Sequence, residues 1–170
     1  MACALTTGYS LDCRDSNGGI KRFYIAEWTS AWSYTLSGGT IATSVSGAPT
    51  FRKYEQEIET GMFEESIQTS RTNGTLFYEQ DLTMVLFKMQ ATLRNEIYLV
   101  AQNRLFIIAR DENDKYWMVG RQRGAMLEPS KAGTGTARGD RNGYELKFKG
   151  KEALPAEEVS ATVVAALSLT

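Results

Sequence analysis

The residues that could do chemistry in this chain are carboxylates, lysines and two thiols, because histidine is absent from its 170 residues. Without an imidazole the commonest general base is missing, and Ser-His-Asp, Cys-His and His-metal centres are excluded within one chain. Paired acids remain: Glu64 beside Glu65, and Glu55 two residues from Glu57, are the right residue type for glycosidase work. Adjacent or alternating glutamates on a strand are far more often a solvated face. Cys3 and Cys13 are two ligands where structural zinc usually takes four, so two reduced thiols are expected, and no metal or other cofactor. Gly133-Thr134-Gly135-Thr136-Ala137-Arg138-Gly139 has the look of a phosphate loop, yet no Gly-Lys-Ser/Thr closes it and no helix is expected to follow. Arg138-Gly139-Asp140 and Asn73-Gly74-Thr75 match an adhesion tripeptide and a glycosylation sequon, matches too short to carry weight.

Charge patterning is more informative than any of these motifs. Between Tyr54 and Leu82 stand seven carboxylates (Glu55, Glu57, Glu59, Glu64, Glu65, Glu79, Asp81) against one base, Arg71. The later half carries Arg121, Arg123, Lys131, Arg138 and Arg141 in a Gly-rich stretch. A chain divided this way can pack acidic surface on basic surface of its own copies, which points to assembly rather than catalysis. The net charge of −1 argues against a general nucleic-acid binder, and 42% apolar residues argue for one ordinary core. No apolar run reaches the ~20 residues of a membrane span, and the start lacks a signal-peptide pattern, so a soluble protein made in a cytoplasm is expected.

The elements that would position these residues are mostly strands. Ile20 to Trp28 reads as the first, and Trp32 to Leu36 with Thr40 to Val45 as a hairpin around Ser37-Gly38-Gly39. Phe51 to Gln68 and Leu76 to Phe87 read as the antiparallel arms of a long hairpin turning at Thr72-Asn73-Gly74, with a bulge at Gly61 where the alternation changes phase. On that reading Glu55, Glu57 and Glu59 share one face. Met89 to Gln102 changes to helical period, with Leu93, Ile97 and Val100 on one stripe and Asn103 as its stop. Leu105 to Ala109 and Tyr116 to Val119 form another hairpin, Arg121 to Arg141 a long loop, and Tyr144 to Lys149 a strand with Tyr144, Leu146 and Phe148 inward. Residues 1–155 read as one β domain with its core at 19–152. Residues 156–170 read as a C-terminal arm that adds a strand to a neighbour, or as a terminus covering its own sheet.

This order of elements resembles bacteriophage tail-tube proteins. A long hairpin, one helix, a short hairpin through Tyr116-Trp117-Met118-Val119-Gly120, a long loop and a last strand Asn142 to Gly150 carry the likeness over roughly Ile20 to Glu152. The opening Leu11-Asp12-Cys13-Arg14-Asp15-Ser16-Asn17-Gly18-Gly19-Ile20-Lys21 is similar to small virion proteins of phages that infect Bacteroidetes. The resemblance implies a mainly β, α+β fold: an antiparallel sandwich or barrel with long hairpins and one packed helix. It also implies a homo-oligomeric ring, as in the hexamers of that family, around a DNA channel, contacting adjacent tail or neck proteins in a virion assembled in the host cytoplasm. Glu55, Glu57, Glu59, Glu79 and Asp81 would line the channel, where carboxylates keep duplex DNA from sticking. Arg121, Arg123, Lys131, Arg138 and Arg141 would lie on the loop that joins rings. Two rivals stand beside this: a glycan- or receptor-binding β-sandwich using Trp28, Trp32 and Tyr34, and a lysine- or carboxylate-dependent enzyme.

Overall fold

Two alternating runs, Leu82 to Leu86 and Tyr144 to Phe148, give one sheet a single core-facing side, while the other sheet is buried on both faces. The computed structural model describes residues 8–10 and 13–167. In chain order the elements are β1 (Ile20–Glu27), β2 (Ser33–Ser37), β3 (Thr40–Ser46), β4 (Arg52–Glu55), β5 (Met62–Ser70), β6 (Thr75–Phe87), α1 (Ala91–Gln102), β7 (Leu105–Asp111), β8 (Tyr116–Val119), β9 (Met126–Gly133), β10 (Gly143–Glu152), β11 (Glu157–Val159) and α2 (Ala161–Ala166). They form a seven-stranded sheet in the order β2-β3-β11-β8-β7-β1-β4 and a four-stranded sheet in the order β5-β6-β10-β9. All pairs are antiparallel except β11 with β3. The mainly β, α+β class expected from the sequence is the class observed.

Between the sheets lies the first core. Phe23 and Ile25 of β1 and Ile107 of β7 meet Leu82, Met84 and Leu86 of β6 and Tyr144, Leu146 and Phe148 of β10. Helix α1 closes one side of it with Leu93, Ile97 and Val100, each half-buried, so its tertiary contacts come from the stripe seen in the sequence. Met89, expected on that stripe, precedes the helix and is exposed. The opposite face of the seven-stranded sheet carries a second core: Tyr24, Phe106, Ile108 and Met118 pack with Trp32, Ile41, Phe51 and the α2 residues Val163 and Val164. Burial on both faces explains why β7 reads Leu-Phe-Ile-Ile-Ala without alternation.

Three expectations need correction. The first arm of the long hairpin is two strands in different sheets: β4 pairs with β1, while β5 pairs with β6. Gly61 is the crossing point rather than a bulge within one strand, and a Cβ there would sit 3.0 Å from the Cβ of Ile20. Because β5 stops pairing at Met62, the Val85 N–H beyond it is met by a side chain, donating to Gln56 Oε1 at 2.9 Å. The hairpin therefore spans Met62 to Phe87.

Second, the Arg121 to Arg141 stretch is not one loop, since β9 occupies Met126–Gly133 and pairs with β10. Its sequence, Met-Leu-Glu-Pro-Ser-Lys-Ala-Gly, hides a strand because Pro129 and a register shift between Glu145 and Lys147 belong to an edge position. Third, the tail folds onto its own chain: β11 inserts between β3 and β8, and α2 follows with Ser160 Oγ accepting the Thr162 N–H at 3.3 Å. Of the two expectations for this segment, the structure realises the terminus that covers its own sheet and not the extended arm, up to Leu167. Cys3 and Leu169 lie outside the described residues, and Cys13 is exposed.

Candidate functional site: the outer face of the four-stranded sheet

On β6 the even residues Leu82, Met84 and Leu86 point into the core, so Phe77, Glu79, Asp81 and Thr83 point outward. The register carries that face across the sheet: Glu64 and Ser66 of β5 lie opposite Asp81 and Glu79, which in turn lie opposite Lys149 and Lys151 of β10. Lys147 and Lys149 lie opposite Glu128 and Met126 of β9. The basic strand β10 thus lies between acids of β6 and β9. Lys151 Nζ is 2.9 Å from Glu79 and lies over the Phe77 ring, Lys149 Nζ is 3.3 Å from Asp81, and Lys147 Nζ is 3.8 Å from Glu145. The Lys151 hydrogen bond holds the Glu79 carboxyl below the usual carboxylate range, and Asp81 raises the Lys149 ammonium above its ordinary value.

The five channel-lining candidates fall in two places. Glu79 and Asp81 share this outer face, whereas Glu55, Glu57 and Glu59 sit on β4 and the crossing that follows it. Glu55 pairs with Arg22 at 3.5 Å and Lys53 at 3.2 Å on the other sheet, and Glu59 occupies a turn with φ 62°. The face shared by alternating glutamates was a property of a strand that ends at Glu55.

Among the basic candidates, Arg121 is the outlier. Its guanidinium pairs with Glu157, donates to Tyr34 Oη at 3.2 Å and is largely buried. Arg123 is exposed, Lys131 lies on β9 opposite Glu145, and Arg141 pairs with Glu145 at 2.6 Å. Arg138 is exposed in the turn that follows β9. In that turn the Gly-rich stretch closes on its own acid: Asp140 Oδ2 accepts the N–H groups of Thr136 at 2.8 Å and Ala137 at 2.7 Å, which lowers its pKa. Those N–H groups are therefore occupied by a carboxylate of the chain and do not cradle a phosphate.

The other chemical candidates also separate. Glu64 points outward, while Glu65 points inward and accepts from Gln80 Nε2 at 3.1 Å and from the Ala156 N–H at 2.6 Å, so the adjacent acids do not face a common point. Trp32 is buried with its Nε1 donating to Ser44 Oγ at 2.9 Å, Trp28 is covered by the Arg104 guanidinium, and Tyr34 receives Arg121. Trp32 therefore offers no open ring to a sugar. Among the described residues no group of three or more acids or thiols could hold a metal ion.

A buried polar cluster escaped the sequence reading. Gln80 accepts the Gly120 N–H at 3.1 Å, and Glu152 Oε1 accepts the N–H groups of Gln122 at 3.1 Å and Arg123 at 3.0 Å, while its Oε2 is buried without a hydrogen-bond partner among the described residues. The one available signal was Glu152 three residues past the alternation that ends at Lys149, too weak to find it. Burial pushes the Glu152 pKa up, against the pull of the two N–H groups and of Arg121 and Arg123. A carboxyl raised in the fold takes up a proton more readily folded than unfolded, so its contribution to stability is full below the ordinary carboxylate range and is lost as pH rises through its folded value. Glu79, Asp114 and Glu145, held low by their cation partners, give stability that is lost as pH falls through their folded values. Glu152→Gln carries no charge to desolvate, so its melting temperature relative to wild type should increase as pH rises; a difference that does not change with pH would contradict the burial assignment.

No family model matches the chain, and neither a curated protein nor a solved structure shows significant similarity to it.

Proposed function

We propose that the chain is a non-enzymatic structural subunit of a phage virion that assembles into a ring of the tail tube or neck around the DNA channel. The observation that carries this reading is the unguarded β5 edge of the four-stranded sheet, whose opposite edge, β9, carries Pro129 and a bulge. β5, nine residues long, pairs with β6 in unbroken register and has neither a proline nor a bulge to guard its outer side. β9 forms the other edge. Joining β5 of one copy to β9 of the next extends the sheet head to tail, and a repeated contact of that kind closes into a ring when the rotation permits. A second feature supports it: Ile67, 63% exposed, and Leu76, 55% exposed, share the hairpin face whose inner half is core. An apolar face of this kind at a sheet edge suits contact with a second copy. In this reading the partners are copies of the chain and neighbouring tail or neck proteins, duplex DNA passes through, and Glu79 and Asp81 are the channel candidates.

Imaging of the purified protein across a concentration series, with its mass in solution, tests the reading. Rings with an open centre are expected, and Ile67→Lys, a change at an exposed position on the β5 edge, should leave the fold intact and weaken association at least ~10-fold. A monomer at every concentration, indifferent to Ile67→Lys, would refute edge-to-edge assembly.

A further inference from the structure

Lys147, Lys149 and Lys151 stand on one face of β10 at backbone intervals of about 6.6 Å, a row of lysines along the outer face of the four-stranded sheet. Such a row is suited to the backbone of a duplex, where phosphates dominate affinity. Each lysine is matched by a carboxylate of the same molecule: Glu145 at 3.8 Å, Asp81 at 3.3 Å and Glu79 at 2.9 Å. The carboxylates of Asp81 and Glu79 come from β6, directly across in the register. Their positions are fixed by the sheet and not by flexible loops, so the masking is built into the fold.

We propose that this face is a contact surface for duplex DNA whose affinity is held near zero by Glu79 and Asp81, which occupy the lysines that phosphates would otherwise reach. The proposal rests on the channel reading of the same face and changes its electrostatics. A channel lined this way passes DNA because its cations are already paired, and not because its wall is uniformly acidic. Lys149 is 32% and Lys151 60% exposed, so a polyanion reaches both ammonium groups once Glu79 and Asp81 are neutralised.

The test measures anisotropy of a fluorescent random-sequence duplex against wild-type protein and the Glu79→Gln/Asp81→Asn variant at low salt, with melts and solution mass recorded in parallel. The variant should bind at least ~10-fold more tightly than wild type, with a log–log salt slope near −2, about −0.9 for each lysine released. Adding Lys149→Gln and Lys151→Gln should abolish the gain. Glu57→Gln/Glu59→Gln, the same change in net charge away from this face, should leave binding as in wild type. The proposal is overturned if the first variant gains nothing, if wild type already binds as tightly, or if the Glu57/Glu59 variant gains as much. Ring assembly is read separately from the mass, so a monomer that shows the expected gain would reject the ring and keep the masked face.

Discussion

Ending the chain at Pro155 is expected to abolish cooperative folding. The segment removed carries Val159, Val163, Val164 and Leu167, each at most 6% exposed in the second core. At about 1.5 to 3 kcal/mol for each buried side chain, their loss amounts to roughly 6 to 12 kcal/mol as an upper estimate. That equals most of the ~5 to 15 kcal/mol by which domains are typically stable. Truncation also opens the β3 and β8 edges that β11 joins and removes the Ala156 N–H from Glu65. The measurement is near-UV circular dichroism and urea unfolding of the shortened chain, with insoluble protein or a transition without cooperativity as the expected result. A shortened chain that unfolds cooperatively within about 2 kcal/mol of the full one would show that β11 and α2 are dispensable.

The second large effect is at Arg121. Its side chain and that of Glu157 are 14% and 9% exposed, and removal of the cation leaves Glu157 buried close to Glu152 with no opposing charge. Breaking a buried pair from one side typically costs about 3 to 5 kcal/mol, so Arg121→Ala should lower the urea midpoint by a corresponding amount. Removing both charges with Arg121→Met/Glu157→Leu should recover much of the loss, because apolar partners need no compensation. Arg123→Glu, at an exposed side chain, should remain near wild type. Equal stability of Arg121→Ala and wild type, within about 1 kcal/mol, would mean the pair is solvated and idle. The two arginines, two residues apart in a Gly-rich stretch, look equivalent in sequence, yet one holds the C-terminal segment in place and the other is surface.

Elements with a strong local period were legible. The stripe Leu93, Ile97, Val100 announced α1 to within two residues of its start, and Tyr144, Leu146, Phe148 announced the inward face of β10. Asn73-Gly74 announced the β5–β6 turn, where Gly74 takes φ 63°. The charged outer face was half legible: Glu79 and Asp81 were found as candidates, but Lys147, Lys149 and Lys151 were seen only as the polar half of an alternating strand. For Lys149 and Lys151 that pairing depends on β10 lying beside β6, with 55 residues between the two strands.

What the sequence by itself determined is the class of element at each place, the two-residue and 3.6-residue alternation that divides inside from outside, and the absence of imidazole chemistry. These are local properties, set by the backbone geometry of a few neighbouring residues. Only the tertiary structure decided that β4 and β5, one unbroken arm by pattern, join different sheets, that a proline-bearing stretch becomes the edge strand β9, and that the tail returns between β3 and β8. It also decided that Glu79 and Asp81, which read as part of a bare acidic face, are each paired with a lysine. Sheet membership and ion pairing depend on which distant strand lies alongside, and that choice is made by burying two cores at once, not by any window of sequence.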